Sequence, residues 1–267
     1  MKQVVSRTVA LAGLLCLAAC GGGGGGTSAS PTATNQSFAG IWTGETVSSA
    51  TGTRMKVNGV ALPSGEALFF AYQDGHVFNG SYTVSGASVN LTATAQWKYY
   101  MLGATESFSV GWNSASPFAK LTQTLTASGA FTSSTSASLT YSASLGDKGS
   151  IGLTYWTIYE RPSALTKLAG TYSNGPGLSV TINADGTFSG TDRASYAFGV
   201  TTRRYTGQFT ILNASKNLYG LSLAADGVTF NGYAFMVDSA AGKVDDAIQL
   251  AAVQSSWGPF VHYWIKQ

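Results

Sequence analysis

His76 and His262 are the only imidazoles in this chain of 267 residues, and its two cysteines, Cys16 and Cys20, both stand near the N-terminus. A serine nucleophile would need one of these histidines with an acid such as Asp74 or Asp246. Serines are so frequent that such a match specifies nothing, and no Gly-x-Ser-x-Gly elbow is present. Metal chemistry would need clustered ligands, and no His-x-His, His-Glu-x-x-His or downstream cysteine pair exists. Asp238, Asp245 and Asp246 are close enough in sequence to hold a hard cation loosely, although a solvated turn between strands explains them better. A glycosidase needs two carboxylates on one cleft. The 12 acids are scattered, and Asp74, Asp147, Asp185 and Asp226 sit beside turn residues, where Asp is favoured for backbone reasons. Both histidines are therefore expected on turn and strand surface, with no catalytic residue, no metal and no cofactor. What remains is aromatic contact surface. Trp97, Tyr99 and Tyr100 flank Lys98, and Arg203-Arg204-Tyr205 and Trp257-Gly258-Pro259-Phe260 are smaller versions. Aromatics beside a cation commonly anchor proteins or sugars.

The elements that would position these groups begin after a distinctive leader. Lys2 and Arg7 precede an apolar run, Ala10 to Ala19, too short to span a bilayer, and the run ends in Leu17-Ala18-Ala19-Cys20. Leu-Ala-Ala-Cys resembles the lipobox of bacterial lipoproteins. The resemblance implies cleavage before Cys20, lipidation of that residue with palmitate or a similar acyl group, and membrane attachment. Residues 1–19 would be the signal peptide. Gly21, where inner-membrane lipoproteins often carry Asp, points to the outer membrane and leaves periplasmic or surface facing open. Each buried methylene contributes ~0.8 kcal/mol to such an anchor. Gly21–Gly26 and the following Thr-Ser-Ala-Ser-Pro stretch carry almost no apolar side chains and no charge, so residues 20–37 read as a disordered leash. Its reach is about 20–25 Å.

The body after the leash is only sparsely charged. Without Lys2 and Arg7 it holds 13 basic against 12 acidic residues, so the pI of 8.8 partly reflects the leader. Arg203-Arg204 is its one adjacent basic pair, which argues against nucleic acid as a partner. With both cysteines in the leader, the body contains no disulfide.

Alternation at period 2 recurs along the body, while no stretch keeps a helical period. Leu178, Val180 and Ile182 alternate with Ser179, Thr181 and Asn183, and Leu139 and Tyr141 with Ser138, Thr140 and Ser142. Asp74-Gly75, Ser85-Gly86, Asp185-Gly186, Asp226-Gly227 and Gly242 mark turns. The pattern is written twice. Ala39-Gly40-Ile41-Trp42-Thr43 matches Ala169-Gly170-Thr171-Tyr172-Ser173 at an offset of 130 residues. Phe70-Ala71-Tyr72 before Asp74-Gly75 matches Val180-Thr181-Ile182 before Asp185-Gly186. Tyr155-Trp156 matches Tyr263-Trp264. In this alignment Thr187 stands near His76 and Thr154 opposite His262, so neither position demands imidazole in both modules. The second match also places roughly 19 extra residues, including Arg54 and Lys56, in the first hairpin. The expected fold class is all-β, with two tandem antiparallel up-and-down barrels of about eight strands each, over 38–162 and 163–267, joined at Arg161-Pro162-Ser163.

Gly40-Ile41-Trp42 resembles the Gly-x-Trp opening of lipocalins and other calycins. That likeness implies that Trp42, and by repetition Tyr172, closes a barrel base with a late basic residue over the ring; Arg161 and Lys266 stand late enough. The whole arrangement resembles surface lipoproteins of the factor-H-binding and transferrin-binding protein B type. Together these features suggest a non-enzymatic binding or interaction lipoprotein whose partner is another protein or a glycan or lipid ligand. A carrier of a small apolar ligand in a barrel lumen is the alternative, and a cell-envelope hydrolase comes third. Oligomeric state is not legible.

Overall fold

The computed structural model describes residues 36–71, 75–97, 122–174, 177–196, 199–225, 227–254 and 258–267. Two closed antiparallel barrels of eight strands each fill this body. The first comprises β1 (Gly40–Ser48), β2 (Arg54–Ala61), β3 (Glu66–Ala71), β4 (His76–Ser85), β5 (Ser88–Trp97), β6 (Thr122–Ser133), β7 (Ser136–Ala143) and β8 (Lys148–Tyr155). The second comprises β9 (Gly170–Ser173), β10 (Ser179–Ile182), β11 (Thr187–Tyr196), β12 (Gly199–Ile211), β13 (Tyr219–Ala225), β14 (Val228–Val237), β15 (Ala247–Gln254) and β16 (Gly258–Lys266). Each strand pairs with its neighbours in sequence, and β1–β8 and β9–β16 are the closing seams. Among the described residues no helix is long and apolar enough to cross a membrane.

Alternation decides which face is inside. On β13, Tyr219, Leu221, Leu223 and Ala225 point inward and Gly220, Ser222 and Ala224 outward. Trp42, Phe69, Leu91, Leu125, Phe131, Leu139 and Leu153 fill the first barrel, and Tyr172, Phe188, Tyr205, Phe209, Leu223, Phe260 and Trp264 the second. Some strands break the alternation because both their faces are covered. Ala67 to Ala71 on β3 are all buried, as are Ala234 to Val237 on β14. Their outward residues form a third apolar cluster, in which Ile41, Val60, Leu68, Phe70 and Val77 of the first barrel meet Phe235, Val237, Ala247, Ala251 and Val261 of the second. The rings of Phe70 and Phe235 are 6.0 Å apart, and Asn58 donates to the Gln249 side-chain oxygen at 2.8 Å across the same face.

The joint is anchored to the second barrel. A 3-10 turn (Thr157–Glu160) and a short helix α1 (Leu165–Leu168) flank Arg161-Pro162-Ser163. The Arg161 guanidinium grips Asp238 at 2.6 Å and Asp245 at 2.7 Å, and Lys167 reaches Asp245 at 3.2 Å. The Ser163 amide donates to the Ala214 carbonyl, and the Asn217 amide to the Tyr159 carbonyl.

Two of the three sequence matches are displaced. Asp74-Gly75 lies between the third and fourth strands of its barrel, whereas Asp185-Gly186 lies between the second and third. The extra length of the first module is therefore not an insertion in its first hairpin. The match aligned three strands with two, and the greater length of the first module falls mainly between the end of β5 at Trp97 and the start of β6 at Thr122, where β13 and β14 are joined by only two residues. In the seams, Trp42 pairs with Tyr155 and Tyr172 with Lys266, so the counterpart of Tyr155 is Lys266 rather than Tyr263.

Candidate functional site

The ends of the barrels where β1 and β9 begin carry the same device. The Trp42 indole N–H donates to the Phe38 carbonyl, and the Tyr172 hydroxyl to the Leu168 carbonyl, each at 2.8 Å and each four residues back. Phe38 stacks on Trp42 at 4.7 Å, and Tyr155 meets Trp42 edge-on at 5.6 Å. Gly40 (φ +154°) and Gly170 (φ +145°) open these segments, because a side chain there would strike the Tyr155 ring or the Lys266 stem. The late residue over Trp42 is thus an aromatic. Arg161, expected as a possible cover, is instead held by Asp238 and Asp245.

The interior of the first barrel leaves little room. The void in the first barrel, bounded by Phe38, Val57, Phe69, Leu91, Leu139 and Leu153, is about 30 Å³, enough for a water or two. An apolar cargo would need several hundred.

Both histidines face inward rather than sitting on the surface. His76 shares the inner face of β4 with Phe78 and Tyr82, and its Nδ1 lies 2.9 Å from the Met55 sulfur. Burial pulls its imidazole down to about 4. His262 stands between Phe260 and Trp264 on β16 and stacks on Phe260 at 4.2 Å. The surface reading failed because a turn precedes His76. Its parity with Phe78 was the available signal.

Tyr205 also departs from expectation. It is 1% exposed, its ring packs edge-on against Phe260 at 5.3 Å, and its hydroxyl donates to Asp192 at 3.2 Å. It therefore offers no contact surface. Arg203, paired with Asp192, is half-buried, and Arg204, paired with Thr191, is exposed. Cys20, Lys98, Tyr99, Tyr100 and Trp257 lie outside the described residues, and Trp97 is described only as the end of β5, paired with His76.

The acids have structural occupations. Asp147 accepts from Ser48 and Tyr141, Asp185 from the amide and hydroxyl of Thr187, and Asp246 from the amide and hydroxyl of Ser239. Arg161 holds Asp238 well below the ordinary carboxylate range, at about 2. Asp74 is outside the described residues.

Polar groups that face solvent gather where the barrels diverge beside their shared apolar face. A groove of about 560 Å³ lies there. Its first-barrel wall carries Glu66 and Asn79. Its second-barrel wall presents two rows across β12, β13 and β14, in which Gln208, Ser222 and Asn231 stand directly opposite one another, as do Thr210, Gly220 and Tyr233. The Tyr233 hydroxyl donates to Glu66 at 3.2 Å, tying the two walls together, and burial beside that carboxylate pushes the phenol up to about 12. Asn79, Ser222 and Asn231 are exposed and make no side-chain hydrogen bond among the described residues. No signal in the sequence joins these positions, because Asn79 and Asn231 meet only through docking of the barrels.

No protein-family model matches the chain, and no curated protein does. Among solved structures it is similar to a crystal structure of a "putative outer membrane protein" from Bacteroides fragilis. The two share 12% identity and a TM-score of 0.29, over 86% of this chain and 98% of that one. A likeness at that score carries no inference about this chain. The candidate site therefore rests on geometry alone: a groove able to form hydrogen bonds, outside the barrel interiors.

Proposed function

We propose that this protein is a non-enzymatic binding module tethered to the bacterial outer membrane through a lipid on Cys20. The observation that carries this reading is where the polar side chains lie. The first barrel is filled, the acids among the described residues are engaged in turns, hydrogen bonds and ion pairs, and the exposed Asn79 and Asn231 line an external groove. Such a surface is suited to contact rather than bond-making. The Leu-Ala-Ala-Cys leader and the glycine-rich stretch after it support an anchor with a spacer, and the disulfide-free body agrees with stability drawn from packed cores. Replacing Cys20 with Ala tests the anchor. The variant is expected to move from the membrane to the soluble fraction and to lose incorporation of labelled palmitate. Retention in the membrane fraction would remove the basis for the reading. Protease treatment of intact cells then distinguishes outward display from a periplasmic position.

A further inference from the structure

We propose that the groove between the barrels binds a linear, neutral oligosaccharide laid across β12, β13 and β14. The proposal rests on the binding-module reading and deepens it. Adjacent strands stand about 4.8 Å apart, close to the length of one pyranose unit along a β-1,4-linked chain. A sugar chain crossing the strands would meet Gln208, Ser222 and Asn231 in turn, one side chain per ring. The Gln208 amide nitrogen is already committed to the Asp185 and Phe209 carbonyls, which holds the side chain in place and leaves its oxygen to accept.

The chemistry of the lining matches hydroxyls. Each Asn offers two donors and an acceptor on a short side chain, and sugar hydroxyls both donate and accept. In the neighbouring row the Thr210 hydroxyl and Leu212 lie close over Gly220, which puts a further hydroxyl on this wall, while Tyr233 is held by Glu66 beside it.

The same features disfavour other ligands. Extended peptides commonly add to a free sheet edge, and closed barrels have none. A peptide side chain would want an apolar pocket, and among the described residues the outer faces bring only Leu68, Val253 and, beside Gly220, Leu212 to the groove. Among the described residues Glu66 is the one charged group in the lining, which gives no basis for recognising an anion.

The test uses the full chain in lauryldimethylamine oxide, a detergent without a sugar headgroup, with cellohexaose, chitohexaose and maltohexaose as calorimetric probes. At least one hexaose is expected to bind. The Asn79→Ala/Asn231→Ala double variant should weaken that binding about tenfold or more. Ser222→Trp, which fills the middle of the row, should abolish it. All three positions are exposed, so melting temperatures should not change and a loss of binding would not reflect unfolding. Failure of all three hexaoses to bind at millimolar concentration would overturn the proposal. Binding that is undiminished in both variants would also overturn it, by placing the ligand elsewhere. Release of the Cys20→Ala protein from membranes would be unaffected by either result, so the anchor and the groove stand or fall separately.

Discussion

At the scale of single residues, His76 shows how a barrel interior alters a side chain's chemistry. Its imidazole is held neutral by burial, with a folded value of about 4 against an ordinary 6.5. The unfolded chain therefore takes up a proton near pH 6.5 that the folded chain refuses until about pH 4. Stability from this group is fully present above pH 6.5 and is lost as pH falls through that window, by at most about 3 kcal/mol. Melting temperatures measured from pH 7 to 4 should fall for the native chain and fall less for His76→Leu. The loss expected from Asp238 comes later, below about pH 4, since Arg161 holds that acid at about 2. The inward direction of His76 was legible in principle, through its spacing from Phe78 and Tyr82. The preceding turn obscured it. Tyr205 was misread for a related reason: an aromatic after two arginines looks like a surface anchor, yet strand parity points it at Phe260.

At the scale of elements, strands were legible wherever one face meets solvent, because alternation then records the face directly. The strands of the second barrel and their turns follow that record closely. Less legible was the correspondence between the halves. The five-residue opening at an offset of 130 does mark equivalent seams, since Trp42 and Tyr172 make the same bond four residues back. The Asp-Gly match does not, because such turns suit any tight hairpin. Seam packing yields a paired prediction. A side chain at Gly44 on β1 would drive into the Gly152 carbonyl oxygen, whereas nothing lies within 4 Å of a side chain placed at Gly152 itself. Gly44→Val should therefore destabilise by roughly 1–3 kcal/mol or more, and Gly152→Val should be near neutral, as read from urea midpoints.

At the scale of the molecule, the shared apolar face decides behaviour that neither barrel determines alone. Phe235 is fully buried between Phe70 and Trp156, at 6.0 Å from each ring. Phe235→Asp would place a charge in that face and cost on the order of 3–5 kcal/mol of docking. Calorimetry of the native chain should show one cooperative transition, and the variant should resolve two. Oligosaccharide binding should weaken with it, because the groove exists only while both walls are held. The unbroken apolar runs Leu68-Phe69-Phe70 and Phe235-Met236-Val237 carry a signal of strands covered on both sides, which a reading built on alternation passes over. Which runs would meet was not legible, since the contact joins residues far apart in the chain, and with it the groove stayed hidden.

The shared face also bears on how the protein is made. Its two halves come from β1–β4 and from the segment leading into β13 through β16, the opening and the finish of the folded body. While the polypeptide is still being synthesised, the greasy flank of the earlier barrel has no cover, and it stays bare until the last strand emerges. A newly made chain with so much apolar surface is prone to aggregate until β14 to β16 cover that flank.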